Sequence, residues 1–124
     1  MRLTYTSLGA IVAFSLAVAP AVAQATCADA ASSADDAYRY SRRAVSTWDI
    51  DEARSLIRRA RNAAEDAMSE AAACNCGDAE SYADDAYKNA RRAYNASNLE
   101  ELHYYADRVR KAARAAESAA SSCG

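Results

Sequence analysis

CADAASSADDAYRYSRRAVSTWDIDEARSLIRRARNAAEDAMSEAAAC, residues 27–74, is followed after one residue by CGDAESYADDAYKNARRAYNASNLEELHYYADRVRKAARAAESAASSC, residues 76–123. The two stretches align without a gap at a spacing of 49, and 21 of the 48 aligned pairs are identical. Cys27 maps onto Cys76 and Cys74 onto Cys123, while Arg42 and Arg43 map onto Arg91 and Arg92. A period of this length marks a repeated supersecondary unit, so the fold is read from the unit.

Each unit divides into two helices around a short connector, Ser46–Asp49 in the first and Asn95–Asn98 in the second. Asp49 with Glu52 three residues on, and Asn98 with Glu101, spell an N-cap with a capping-box partner. Apolar and small residues recur at alternating steps of three and four. They run through Cys27, Ala30, Ala34, Ala37, Ser41 and Ala44, and through Ile50, Ala53, Ile57, Ala60, Ala64, Ala67, Ala71 and Cys74. The second unit repeats the pattern from Cys76 to Ala93 and from Leu99 through Leu102, Ala106 and Val109 to Cys123. This is the seam of helices packed nearly antiparallel. Alanine on it brings the axes toward the lower end of the ~8–10 Å range. Tyr38, Val45, Leu56, Met68, Tyr87, Tyr94 and Tyr105 flank the seam and are expected to border the core. Gly77, the one glycine between Cys27 and Cys123, falls where the chain must reverse between units.

The pattern predicts an all-α fold: two tandem disulfide-closed αα-hairpins forming a four-helix bundle, with an extended stack of the hairpins as the alternative. Tandem helical hairpins resemble tetratricopeptide-type arrays in architecture. The period of 49 and the missing aromatic and proline signature positions separate this chain from that family.

Charge placement follows the same logic. Asp35, Asp36, Asp84 and Asp85 are read as early in their helices and Arg42, Arg43, Arg91 and Arg92 as late, matching the helix dipole. Asp35 with Arg39 and Asp84 with Lys88 form i,i+4 pairs.

Residues 1–25 have the form of a cleavable signal peptide. Arg2 precedes an apolar run from Leu8 to Ala19, then come Pro20 and two small-x-small sites, Ala21–Ala23 and Ala23–Ala25. The run is shorter than the ~20 residues a spanning helix requires. Gln24 and Thr26, where a lipoprotein needs an aliphatic and a small residue, argue against lipidation of Cys27. The expectation is an exported chain, periplasmic or secreted, whose residues 26–124 form a single helical domain. Without Arg2 it carries 14 basic and 17 acidic side chains, a balance that gives no basis for nucleic-acid binding.

Four cysteines allow three pairings. Cys27 starts the first helix of its unit and Cys74 ends the second, both on the seam, so an antiparallel hairpin sets them side by side; Cys76 and Cys123 repeat the relation. Cys27–Cys74 and Cys76–Cys123 are therefore the expected bridges, and an alanine-rich core of this size calls for such staples. The other reading is a metal centre: four thiols gathered at one pole suit zinc, and Cys74-Asn75-Cys76 resembles a soft-metal pair. An oxidising compartment and the single intervening residue argue for disulfides.

No nucleophile–base pair, metal triad or glycine-rich phosphate loop is present in the sequence, so neither catalytic nor cofactor-binding residues are assigned and the protein is read as non-enzymatic. His103, whose counterpart is Arg54, is read as a solvated helix position. The paired aspartates are read as a solvated face, because paired acid–base work needs opposed environments. Asn95-Ala96-Ser97 fits the N-glycosylation pattern, and Ser118–Ser122 continues the last helix. Tyr40, Tyr82 and Tyr104, with Trp48 at the first connector, compose the candidate binding surface. Exposed tyrosine beside arginine is the composition of interfaces, and these outer tyrosines differ between the units where the seam agrees. The resulting expectation is a binding or structural module of the cell envelope or extracellular space with a protein or envelope partner, and Cys-based zinc or copper binding is the alternative function.

Overall fold

Four helices account for nearly all of residues 27–123, the part of the chain that the computed structural model describes. They are α1 (Cys27–Ser46), α2 (Ile50–Ala73), α3 (Gly77–Tyr94) and α4 (Leu99–Ser122). No strand occurs among the described residues. The residues read as a signal peptide lie outside them.

The breaks fall where side chains can replace lost backbone partners. Asp49 Oδ1 accepts from the N–H groups of Asp51 (2.9 Å) and Glu52 (3.3 Å), and Asn98 Oδ1 accepts from Glu101 N–H (2.8 Å). Each cap stabilises its helix by about 1 kcal/mol. The reciprocal half of the capping box takes another form. Glu52 accepts from the Thr47 hydroxyl and Glu101 from the Ser97 N–H, so each glutamate ties down the connector upstream of the cap.

Reversal between the hairpins rests on Asn75, not on Gly77. Asn75 has φ 57°, in the left-handed region. Around it Cys76 N–H donates to Ala71 O (2.9 Å) and Asn75 N–H to Ala72 O (3.2 Å), a Schellman closure of α2. Gly77 has no positive φ and is simply the first residue of α3; a Cβ there would meet nothing within 4 Å.

Short connectors make consecutive helices antiparallel, and α1 also packs against α4, so the four form a closed ring with little contact across its diagonals. This is a four-helix bundle rather than an extended stack. The seam residues lie inside it: Ala30, Ala34, Ala37, Ser41 and Ala44 of α1 are buried, as are the corresponding positions of the other helices. Ser41, the one polar residue buried among the described residues, donates its hydroxyl to Ala37 O (2.8 Å), which removes the cost of an unpaired group. The seam frays at its ends: Ile50, Leu99 and Cys74 are half-buried and Cys123 is exposed.

The flanking positions behave as expected for Tyr38, Val45, Met68, Tyr87 and Tyr105, which are half-buried, and for Leu56, which is buried. Tyr94 departs from expectation at 38% exposure, its ring meeting Arg61 instead of the core. The dipole reading also needs correction. Because α1 starts at Cys27, Asp35 and Asp36 lie in its third turn, beyond the dipole's reach; Asp29, Asp78 and Glu80 hold the first turns. Asp35–Arg39 (3.0 Å) and Asp84–Lys88 (2.8 Å) do form, each contributing a few tenths of a kcal/mol at such exposure. Among the described residues no helix is long and apolar enough to cross a membrane.

Candidate functional site

The hairpin geometry gathers the four cysteines at one pole and the two connectors at the other. Cys27–Cys74 and Cys76–Cys123 are bonded, with Cα separations of 5.5 and 6.0 Å. The pairing is the one the seam requires.

At the connector pole the two hairpins clasp each other through equivalent positions. Arg54 of α2 donates Nη2–H to Ala96 O in the second connector (3.1 Å). Forty-nine residues on, His103 of α4 places Nε2 2.7 Å from Thr47 O in the first. A carbonyl only accepts, so His103 donates through Nε2. Trp48 stands edge-on to the His103 ring, centroids 5.8 Å apart, and is otherwise exposed at 86%. His103 is thus a tether across the hairpin boundary and not a solvated bystander. Sequence reasoning missed it because Arg and His share no pattern; what they share is a donor at the same register.

Charge divides along the bundle axis. Residues 37–61 and 86–110, the connector half, hold 12 basic and 6 acidic side chains. The cysteine half, residues 27–36, 62–85 and 111–123, holds 2 basic and 11 acidic ones. Two carboxyl groups are shifted by their immediate surroundings. The Glu70 carboxyl is raised from its ordinary range, chiefly by burial and further by Asp29, Asp66 and Asp36, against the lowering effect of the Ser33 hydroxyl. Ser33 donates to it across α1 and α2 at 2.9 Å. In the connector half Asp107 is lowered, first by its hydrogen bond from Arg110 (2.8 Å) and then by Lys111.

The candidate aromatic residues fall in three places. Tyr82 (44% exposed) and Tyr104 (58%) rim one groove of about 540 Å³ between α3 and α4, with Asp85, Asn89, Asp107, Arg108 and Lys111 along it. Arg108 crosses the Tyr104 ring at 5.7 Å and donates Nη1–H to its hydroxyl (2.9 Å), while Tyr105 stacks edge-on beside it at 5.1 Å. These contacts hold Tyr104 in place at low entropic cost on binding. Tyr40 lies elsewhere, half-buried on α1 under Arg59 of α2 and packed against the core. Trp48 lies at the connector pole. The structure therefore joins Tyr82 with Tyr104 and separates both from Tyr40 and Trp48.

Most of the residues lining the groove differ between the units, among them Tyr82 for Ser33 and Tyr104 for Ser55. Where the first hairpin has Tyr40, the second has Asn89. Its shorter side chain donates Nδ2–H back to Asp85 O (2.9 Å). Its Oδ1 is buried and has no hydrogen-bond partner among the described residues. That oxygen is closed to water, so the open surface of the groove is set by Tyr82, Tyr104 and the charged side chains and not by the Asn89 acceptor. Neither Asn89 nor Arg108 was legible as a site residue; the signal lay in the Tyr40–Asn89 mismatch.

No family model, curated protein or solved structure matches this chain.

Proposed function

We propose that this protein is an exported, non-enzymatic binding module, and that the α3–α4 groove of its second hairpin is where a partner protein docks. The observation that carries the reading is the groove itself: two exposed tyrosines, one of them held by Arg108, line a cleft with Asp85, Asp107 and Lys111 along it. Rigid aromatic anchors beside arginine supply contact area without a large ordering cost. The segment that fits is a short stretch of polypeptide that lays apolar side chains on the two rings and polar ones toward the charged groups. Two disulfides and a closed helical ring support the scaffold role, since they keep the groove's walls at fixed separation. The disulfides are also compatible with an oxidising compartment.

Capture from envelope extract with the cross-linked wild-type chain, run beside Tyr82→Ala/Tyr104→Ala and Tyr40→Ala, tests this. The wild type and Tyr40→Ala should retain a partner that the double variant loses. Equal retention by all three proteins would remove the groove as the binding surface.

A further inference from the structure

The cysteine pole holds more than two independent staples. Cys27 Sγ, Cys76 Sγ and Cys123 Sγ lie within 4.8 Å of one another, and Cys74 is bonded to Cys27. The sulfurs of both hairpins therefore form a single cluster. The cause is topological: α1 packs on α4 as closely as on α2, and the Asn75 turn sets Cys74 and Cys76 one residue apart. We propose that this pole is a redox-gated metal site: with both bridges reduced, Cys27, Cys74, Cys76 and Cys123 hold one soft metal ion of the zinc class as four thiolates. With both bridges formed, it holds none.

The geometry is close to what the ion needs. Zinc–sulfur bonds of about 2.3 Å in a tetrahedron put neighbouring sulfurs about 3.8 Å apart. Cys27 Sγ needs to approach Cys76 Sγ and Cys123 Sγ by no more than about 1 Å. Cys74 Sγ, which lies beyond 4.8 Å of at least one of these three sulfurs, has to swing further in once its bond to Cys27 opens, and bonded sulfurs need to part to the same separation. Cys27 is the first residue of α1, and Cys76 is the N-cap of α3, where no side chain caps the free N–H groups. A thiolate at either place sits at the positive end of a helix dipole. The surrounding half of the bundle has 11 carboxylates against two cations, a field that favours a bound cation over four uncompensated thiolates. The packing next to the sulfurs is alanine only: Ala30, Ala71, Ala79 and Ala120.

The electron count closes. Each bridge takes two electrons and two protons from an external dithiol, which becomes a disulfide. The four thiols then release their protons as the metal binds. Two equivalents of a disulfide oxidant run the reaction backward: each accepts two electrons from a pair of thiolates and two protons from solvent to become thiols, the two bridges re-form, and the metal leaves. The site does not involve the α3–α4 groove, so its failure and that of the groove are separately visible.

The test uses the protein reduced anaerobically with a dithiol, freed of reductant, and titrated with zinc against a chromogenic chelator. Cobalt(II) serves as the spectroscopic probe, and circular dichroism monitors the helices. The expected result is one metal per chain, a tetrahedral cobalt–thiolate spectrum, four thiols shielded from alkylation, and no uptake by the disulfide form. The Cys76→Ser/Cys123→Ser variant keeps the Cys27–Cys74 bridge, has its helix content checked by circular dichroism, and on reduction offers two thiols. It should bind roughly 100-fold more weakly or worse, a larger loss than outer-shell changes usually cause. Uptake below one metal per chain, equal binding by the double variant, or uptake accompanied by loss of helix would each overturn the proposal.

Discussion

The two halves of the bundle keep the same four helices together by different means. In the connector half Leu56, Ile57, Leu102 and Val109 fill one continuous buried cluster, with Tyr38, Tyr40, Tyr87 and Tyr105 packed on its border. In the cysteine half the buried side chains are alanine and cystine alone. Ala34, Ala67, Ala83 and Ala116 make one layer, and Cys27, Ala30, Ala71, Cys76, Ala79 and Ala120 the next. An alanine layer buries little apolar area, and burial stabilises at ~25 cal/mol per Å². The bridges stand where that term is smallest. The lesson is that a core can taper to alanine if its open end is closed covalently.

The comparison breaks most visibly at the bridges. Each closes a separation of 47 residues, worth about 4 kcal/mol on the chain-entropy model and less where strain or residual structure intervenes. Replacing all four cysteines by serine should lower stability by several kcal/mol in a denaturant titration. Amide exchange should rise first in residues 27–36, 62–85 and 111–123, and last around Ile57 and Leu102. Uniform loss of protection would mean that the halves are not energetically distinct.

Next in size is the aliphatic cluster. Leu102→Ala, at a fully buried position, should cost about 2–5 kcal/mol, the span for leucine truncation in tight cores. With both bridges intact, exchange should now rise first in the connector half, the mirror image of the cysteine result. A cost under 1 kcal/mol, read from the same denaturant titration, would show that the connector half does not depend on its aliphatic residues.

The smallest effect distinguishes the turns. Asn75 has φ 57° whereas Asn95, the C-cap of α3, has φ −91°. Asn75→Ala should cost a fraction of the ~1–2 kcal/mol left-handed penalty, because both residues carry a Cβ but only asparagine's short polar side chain offsets it by local hydrogen bonding. Asn75→Gly should be neutral or slightly stabilising, and Asn95→Ala should change little. Thermal melts of the three variants check this, and equal shifts for the two alanine variants would refute the assignment of reversal to Asn75.

A second contrast, between Tyr40 and Asn89, bears on function. The same register is filled by Tyr40 in the first hairpin and by the shorter Asn89 in the second, where it lines the α3–α4 groove.

Much of this was legible in the sequence. The three-four spacing of Ala30, Ala34, Ala37, Ser41 and Ala44 names the buried stripe, because on a helix that periodicity can point only one way. Asp49 and Asn98 announce their helix starts through local bonds that need no tertiary partner. The pairing of Cys27 with Cys74 and of Cys76 with Cys123 follows from placing both ends of one hairpin on one seam. What remained undetermined depends on groups that meet only when the ring closes. The His103 bond to Thr47 O joins residues 56 apart, and no local pattern records a donor whose acceptor is a backbone carbonyl. The proximity of the two bridges required α4 to return against α1, a choice between a closed bundle and an extended stack that either hairpin alone satisfies equally. The groove depended on what stood across from Asn89. Sequence periodicity determines which face of each helix is buried; only tertiary packing decides which exposed residues become neighbours, because that depends on distances between helices and not along them.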